Sequence, residues 1–460
     1  MFNNNSFGGG GGYSNNNRNN RNNRNNRNNR NNRKNVGGGG GGRTNCFKPV
    51  VGFNHGKIGG PTHTHSSFGG GSSGSSAQHG TLRMVVGQMS GNWFMCTAGG
   101  SEVKMWNLQT LQARKAPQLF KQRDLKDKFG NKVDVGSAIF VPPNFLFVGL
   151  AGTLTQHNWG ANVGYIQQLD LITLNDAKPM PAVIHPMSKP MAHTLNITAM
   201  SVLKHKAGMM IMSGSKDATI RIWKPHAELG LSPAAEMVGH ARKITSMVRT
   251  IYNVLCVCVC VLLYLILTFT RSLTHNNKQQ QQQIQVQFGQ RIYTSSEDHS
   301  VNVWDATNGN LLNSTRVMKG ENHKDSINCV VPYTCRAQSN AAFVITTSYD
   351  KTIRIWKADT MVHVHKCTSR NVVIAMKIVQ APNGKDALIC GNRDGSLVAY
   401  KLPELKFIGL LNSKNNNNNR SRQRGPNGRL TDLALVHNFI FKADSTGRIS
   451  VVEFDLNCLN

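Results

Sequence analysis

A chain of 460 residues with 53 Lys and Arg against 23 Asp and Glu carries a formal net charge of +30, a balance that favours polyanions, RNA above all, as partners. Its ten cysteines lack the paired spacing of a structural zinc site, and the first residues form no apolar core of a secretory signal. These features argue against a disulfide-stapled secreted scaffold. They predict an intracellular protein, of cytoplasm or nucleus, whose cysteines are mostly small buried hydrophobes.

Residues 1–76 read as a disordered tail. Gly runs flank a tract in which Arg18, Arg21, Arg24, Arg27, Arg30 and Arg33 recur every third residue between Asn pairs, with Lys34 following. Such a stretch has too little apolar surface to offset its ordering entropy. Evenly spaced cations on a flexible chain suit phosphate contact through counterion release. Only Phe2, Phe7 and Tyr13 lie nearby to stack on bases. The blander reading is a solvated tail that keeps the protein soluble. Cys46 and His55 make a metal pair too small to close a tetrahedral site, and His63 and His65 do not complete it. Residues 47–53 are a candidate strand, with Pro49 tolerable only at a sheet edge.

From residue 77 onward the texture changes to strand-like runs broken by Gly and Ser. The first unit closes on Trp106, 27 residues after His79. The second is degenerate: FLFVGLAG reads as a buried strand and GYIQQLDL as its closing strand, with Leu169 where a Trp is expected. The third holds His193, Asp217 and Trp223. The fourth holds His240, Asp298 and Trp304. The fifth holds His323, Asp350 and Trp356. In these three the Asp precedes the Trp by six residues. The sixth places Asp394 before Tyr400, and the seventh ends with Val452 at the tryptophan position. Seven units follow, so the chain is an array. In the third to fifth units the Asp fixes the imidazole, the imidazole meets a hydroxyl, and the hydroxyl meets the indole N–H. Such a network is structural. Which Ser or Thr completes each set stays open at this level.

The fourth unit is too long. Residues 252–290 contain VLCVCVCVLLYLILTF and then a Gln run. A membrane span, a loop insertion and a translated intron compete. The apolar run is shorter than the ~20 residues a span needs, and a span would keep the array from closing. Alternating Cys-Val is what a TG tract encodes, and the sequence favours the intron. A second basic tract, residues 412–429, carries Lys414, Arg420, Arg422, Arg424 and Arg429. The arginines at 420, 422 and 424 join those of the tail as candidate RNA contacts.

The Gly239-His240 and Trp304-Asp305 pairs and the closing strands of the SxDxTIRIW type (SKDATIRIW, SYDKTIRIW) resemble the WD-repeat β-propeller family over residues 77–460. That resemblance implies an all-β, seven-bladed ring of four-stranded antiparallel blades. It also implies that the last blade's outer strand comes from the other end of the chain, with residues 47–53 the candidate. FLFVGLAG and the terminal FKADSTGRISVVEF are similar to plant-type WD-repeat proteins with an N-terminal CCCH zinc finger. No CCCH finger is present in this sequence.

No phosphate loop, nucleophile elbow or paired His on a helix face points to an enzyme. His363 and His365 share one face of a strand, where a solvated or hydrogen-bonded pair is favoured over a metal site. The sequence therefore predicts a non-catalytic interaction scaffold that binds other proteins through its faces and RNA through its basic segments. It predicts no catalytic residue, metal, cofactor, small-molecule substrate or membrane partner. The alternative is a substrate receptor of a ubiquitin ligase, although Ala306 and Thr307, not Arg, follow Trp304-Asp305. A G-protein β-like subunit would need an N-terminal coiled coil, which the Asn/Gly tail cannot supply.

Overall fold

The computed structural model describes residues 46–56, 82–126, 133–152, 163–172, 193–205, 208–226, 230–250, 291–317, 322–338, 340–412 and 428–459. In these residues the regular structure is β-strand with four short 3-10 turns. Blade one is β2 (Leu82–Met89), β3 (Asn92–Gly99), β4 (Glu102–Asn107) and β5 (Gln118–Asp124). Blade two is β6 (Asp134–Val141), β7 (Phe145–Gly152) and β8 (Val163–Asp170). Blade three is β9 (Ile197–His205), β10 (Gly208–Ser215), β11 (Thr219–His226) and β12 (Gly230–Val238). Blade four is β13 (Ile244–Thr250), β14 (Arg291–Ser296), β15 (Val301–Asp305) and β16 (Leu311–Ser314). Blade five is β17 (Ile327–Cys335), β18 (Ala341–Ser348), β19 (Thr352–Lys357) and β20 (His363–Thr368). Blade six is β21 (Val373–Gln380), β22 (Asp386–Asn392), β23 (Leu397–Lys401) and β24 (Lys406–Leu411). Blade seven is β25 (Leu430–Val436), β26 (Phe439–Asp444) and β27 (Arg448–Phe454), completed by β1 (Phe47–Asn54).

The inner strand of each blade contacts the inner strand of the next, and β25 contacts β2, so the blades close into a seven-bladed propeller. Its closing strand is β1, antiparallel to β27 from Phe47↔Phe454 to Asn54↔Arg448. Pro49 lies on this outer edge beside a bulge, where its missing N–H costs no ladder bond. Residues 46–56, drawn with the tail in the sequence, thus belong to the ring. The compact unit that holds the ring is Thr44–Asn460.

Register explains the repeat spacing. Trp106, Leu169, Trp223, Trp304, Trp356, Tyr400 and Val452 all sit on third strands. They face Met95, Leu146, Ile211, Ile292, Val344, Leu388 and Ile440. Opposite six of them, Trp106, Trp223, Trp304, Trp356, Tyr400 and Val452, the outer strand bulges, which re-aims the side chains there.

The core lies between the blades. Seven apolar clusters each join two neighbours; one packs Trp304 and Ile244 of blade four on Met212 and Ile222 of blade three. Central strands are therefore buried on both faces, as TIRIWK is through Trp356. Gly149, Gly214 and Gly391 mark close approaches of the next blade's inner strand. A Cβ on Gly214 would lie 2.6 Å from Ile244 Cγ2, and one on Gly391 would lie 2.4 Å from Leu430 Cδ2. Polar stitches cross the same seams. Arg83 Nε donates to the Gly136 carbonyl (3.0 Å), Asn328 Nδ2 to the Val373 carbonyl (2.8 Å), and Met84 N–H to Asp432 Oδ2 (2.8 Å).

The apolar and Gln-rich segment at 252–290 lies outside the described residues. The strands on either side are described: β13 and β14 pair directly up to Thr250↔Arg291, so their ladder is complete without it. The corresponding hairpin in blade one turns through Ser90 and Gly91 alone. We expect that replacing residues 251–290 by Asn-Gly raises stability by about 2 kcal/mol, the closure entropy of the longer loop. Urea denaturation measures it; a loss of stability would make the segment part of the fold.

Candidate functional site: buried His–Asp–hydroxyl–Trp networks

The turn before each third strand is built locally. Asp217 Oδ1, Asp298 Oδ1, Asp350 Oδ1 and Asp394 Oδ1 accept the N–H two residues on, at 2.8–3.0 Å. Such Asx turns favour a left-handed residue next, and Ala218, His299, Lys351 and Gly395 have φ of 67°, 68°, 62° and 81°. The serine two residues before the Asp has its own task. Ser348 Oγ accepts Asp350 N–H (3.1 Å) and donates to the Asp325 carbonyl (2.8 Å). This ties the turn to the loop that leads into the blade.

The other Asp oxygen reaches the histidine. Nδ1 of His193, His240 and His323 lies 3.0 Å from Oδ2 of Asp217, Asp298 and Asp350. Nε2 meets Ser213 Oγ at 2.7 Å, Thr294 Oγ1 at 2.8 Å and Thr346 Oγ1 at 2.8 Å. Trp223, Trp304 and Trp356 Nε1 donate to those hydroxyls at 2.7, 2.7 and 2.8 Å. Each chain thus runs one way: indole N–H to hydroxyl, hydroxyl to Nε2, Nδ1–H to carboxylate. The hydroxyls that the sequence left open stand ten residues before each Trp, and that constant spacing is the signal that finds them. The three histidine side chains have no exposed surface.

The three carboxylates are held well below the usual carboxylate range. Burial alone would raise them, but hydrogen bonds from His193, His240 and His323 and from Thr219, Ser300 and Thr352 override it. A depressed folded value adds stability above about pH 4 that is lost as acid protonates the carboxylate.

Blade one departs from this pattern and corrects the sequence reading. Its histidine is His55, delivered by β1, whereas His79 lies outside the described residues. His55 Nδ1 lies 2.7 Å from Thr97 Oγ1, and Trp106 Nε1 donates to the same hydroxyl at 2.9 Å. The turn at residues 99–102 is GGSE and offers no Asp. Among the described residues His55 Nε2 meets no carboxylate, and the Gly99 backbone lies beside the ring. Lys104 donates to the His55 carbonyl and pairs with Glu102 at 3.0 Å. Burial first, then the Lys104 charge, pushes the imidazole from its ordinary 6.5 down to about 4. The available signal was positional: His55 follows the closing strand as Gly239-His240 follows β12. In blade six, Asp394 keeps its Asx turn and Tyr400 is buried in the apolar cluster shared with blade five.

The remaining candidates are not brought together. His363 lies edge-on to Trp356 (ring centroids 5.4 Å apart), and His365 is exposed. Among the described residues no three His, Cys, Asp or Glu side chains are grouped to hold a metal ion. Arg18, Arg21, Arg24, Arg27, Arg30, Arg33, Lys34, Arg420, Arg422 and Arg424 lie outside the described residues.

The cysteines need a further correction. Cys96, Cys335 and Cys390 are buried thiols and Cys329 and Cys367 are half-buried thiols. Cys46 and Cys458, however, form a disulfide, with Cα atoms 5.9 Å apart and 412 residues between them in sequence. No local spacing announces a pair that only the closed ring brings together.

The WD domain, G-beta repeat model matches residues 185–224 and 314–357. No curated protein matches the chain. Among solved structures, a chain of the Mitotic Checkpoint Complex is similar at 14% identity and TM-score 0.55, covering 92% of this chain and 97% of that one. The WD40 β-propeller domain of Doa1 is similar at 12% identity and TM-score 0.51, covering 90% and 99%.

Two predictions follow from the networks. Asp350→Ala strips His323, Thr352 and the Lys324 N–H of their acceptor and should cost about 2–4 kcal/mol, read by urea denaturation at pH 7; unchanged stability would remove the structural role. The second concerns pH. The lowered value of His55 means that the unfolded chain binds the proton more readily, so stability is full above pH 6.5 and falls towards pH 4. The loss is about 3 kcal/mol at most, and His55→Gln should flatten that part of the slope. His323, also lowered by burial, keeps its share. From the register of the closing positions and the closed ring, the chain folds as a seven-bladed β-propeller, with WD-repeat matches over its third and fifth blades.

Proposed function

We propose that this protein is a non-catalytic interaction scaffold that binds other proteins through the faces of its ring and RNA through its basic segments. One observation carries the scaffold reading. The His–Asp–hydroxyl sets of blades three to five, which have the composition of a catalytic triad, are enclosed and internally satisfied, with His193, His240 and His323 side chains fully buried. Their hydrogen-bonding capacity is spent within the blade, which leaves rigid loops on a ring face. Fold alone names no partner.

The RNA reading rests on charge placement in the sequence. Eleven Lys and Arg and no acid precede Glu102. Cations on an extended chain bind phosphates by releasing counterions, which makes affinity steeply salt-dependent.

Removing residues 1–45 should weaken binding to single-stranded RNA at low salt. It should also flatten the slope of log affinity against log salt by about 5, at about 0.7 per neutralised phosphate for the seven cations from Arg18 to Lys34. Unchanged affinity would reject the tail as the RNA contact. Affinity purification with and without RNase, read by mass spectrometry, separates RNA-bridged from direct protein partners. Recovery of cullin subunits in both arms would move the assignment to a ubiquitin-ligase receptor.

A further inference from the structure

The strand that closes the ring has two duties. β1 completes blade seven along β27, and the residue after it, His55, completes the buried network of blade one with Thr97 and Trp106. Losing β1 would therefore expose the edge of one blade and empty the core of the next. The strand is held at its inner end by Cys46 and Phe47, both buried, and by Asp455 N–H donating to the Cys46 carbonyl at 2.8 Å. Lys48 adds an ion pair to Asp455 at 3.0 Å. Cys458 lies in the short 3-10 turn Leu456–Leu459 that follows β27.

The two cysteines differ in burial. Cys46 is 1% exposed, whereas Cys458 is half-buried. The five other described cysteines stay as thiols, so this pair is singled out by position. It joins the two chain segments whose separation would open the ring. Disulfides inside cells are usually transient and regulatory.

We propose that Cys46 and Cys458 form a redox latch that locks the N-terminal strand onto the ring. The oxidant is a low-molecular-weight disulfide of the glutathione class. The Cys458 thiolate attacks it, expelling one glutathione thiolate and leaving a mixed disulfide. The Cys46 thiolate then attacks Cys458 Sγ, expels the second, and the Cys46–Cys458 bond is made. Two protein thiols are oxidised, one glutathione disulfide is reduced, and the two protons pass to the two glutathione thiols. Reduction runs in reverse, with attack at the more accessible Cys458. With the latch closed, a peeled β1 stays tethered beside its partner. With it open, β1 is held by its ladder, the ion pair and side-chain packing alone.

The test uses the full chain with a protease site inserted between residues 70 and 71. After treatment with oxidised glutathione and cleavage, the N-terminal fragment should stay attached on a non-reducing denaturing gel, and excess reduced glutathione should release it. Peptide mapping should link Cys46 to Cys458. The oxidised protein should melt about 5 °C or more above the reduced one, as expected for a crosslink closing a long loop. The Cys46→Ala/Cys458→Ala double variant should lose that redox dependence. If the variant does not fold, the comparison of oxidised with reduced wild type still decides. Release of the fragment after oxidation, mapping of Cys46 to another cysteine, or equal melting of the two redox forms would overturn the latch.

Discussion

The pairing of β1 with β27 is the constraint on which the rest of the ring depends. A blade of antiparallel strands is apolar on both faces and needs a neighbour on each side. Seven apolar clusters meet that need only because the ring closes. The closing strand comes from the opposite end of the chain, so the ends cannot separate without breaking blade seven. The same segment brings His55 across to blade one, which makes closure of one blade and the interior of the next a single event.

Within each blade the polar residues do a different job. An Asx turn holds the Asp. One of its oxygens stays on the turn while the other reaches the histidine of the preceding loop. That histidine orients a hydroxyl, and the hydroxyl seats the tryptophan against the neighbouring blade. A buried polar chain of this kind is favourable only when every member is satisfied. Blade one shows what happens when one member is missing: Thr97 and Trp106 keep their bond, but among the described residues His55 has no carboxylate to meet, and its basicity is depressed.

The long interval in the fourth unit has the same physical logic. A β-ladder needs only a short turn between antiparallel strands, and β13 and β14 are in register on both sides of residues 251–290. Tolerance of the ring for that segment says nothing of a role for it, which is why its removal is expected to stabilise.

What the sequence determined by itself was whatever is set by short-range geometry. The Asp-to-Trp interval follows from the Asx turn and from the length of a strand. The seven closing positions, including Leu169 and Val452, fall in one register because a strand pattern is periodic. Residues 47–53 were only a candidate edge strand, suggested by the resemblance and compatible with Pro49; the sequence otherwise placed them in the tail. The tertiary structure alone decided what depends on residues distant in the chain. It brought His55 to Thr97 of blade one, 42 residues away in sequence. It required glycine at Gly149, Gly214 and Gly391 because the next blade's inner strand presses against them. It brought Cys46 to Cys458 across 412 residues. No local pattern encodes such pairs, since their proximity is created only when seven blades have packed and the last strand has closed the ring.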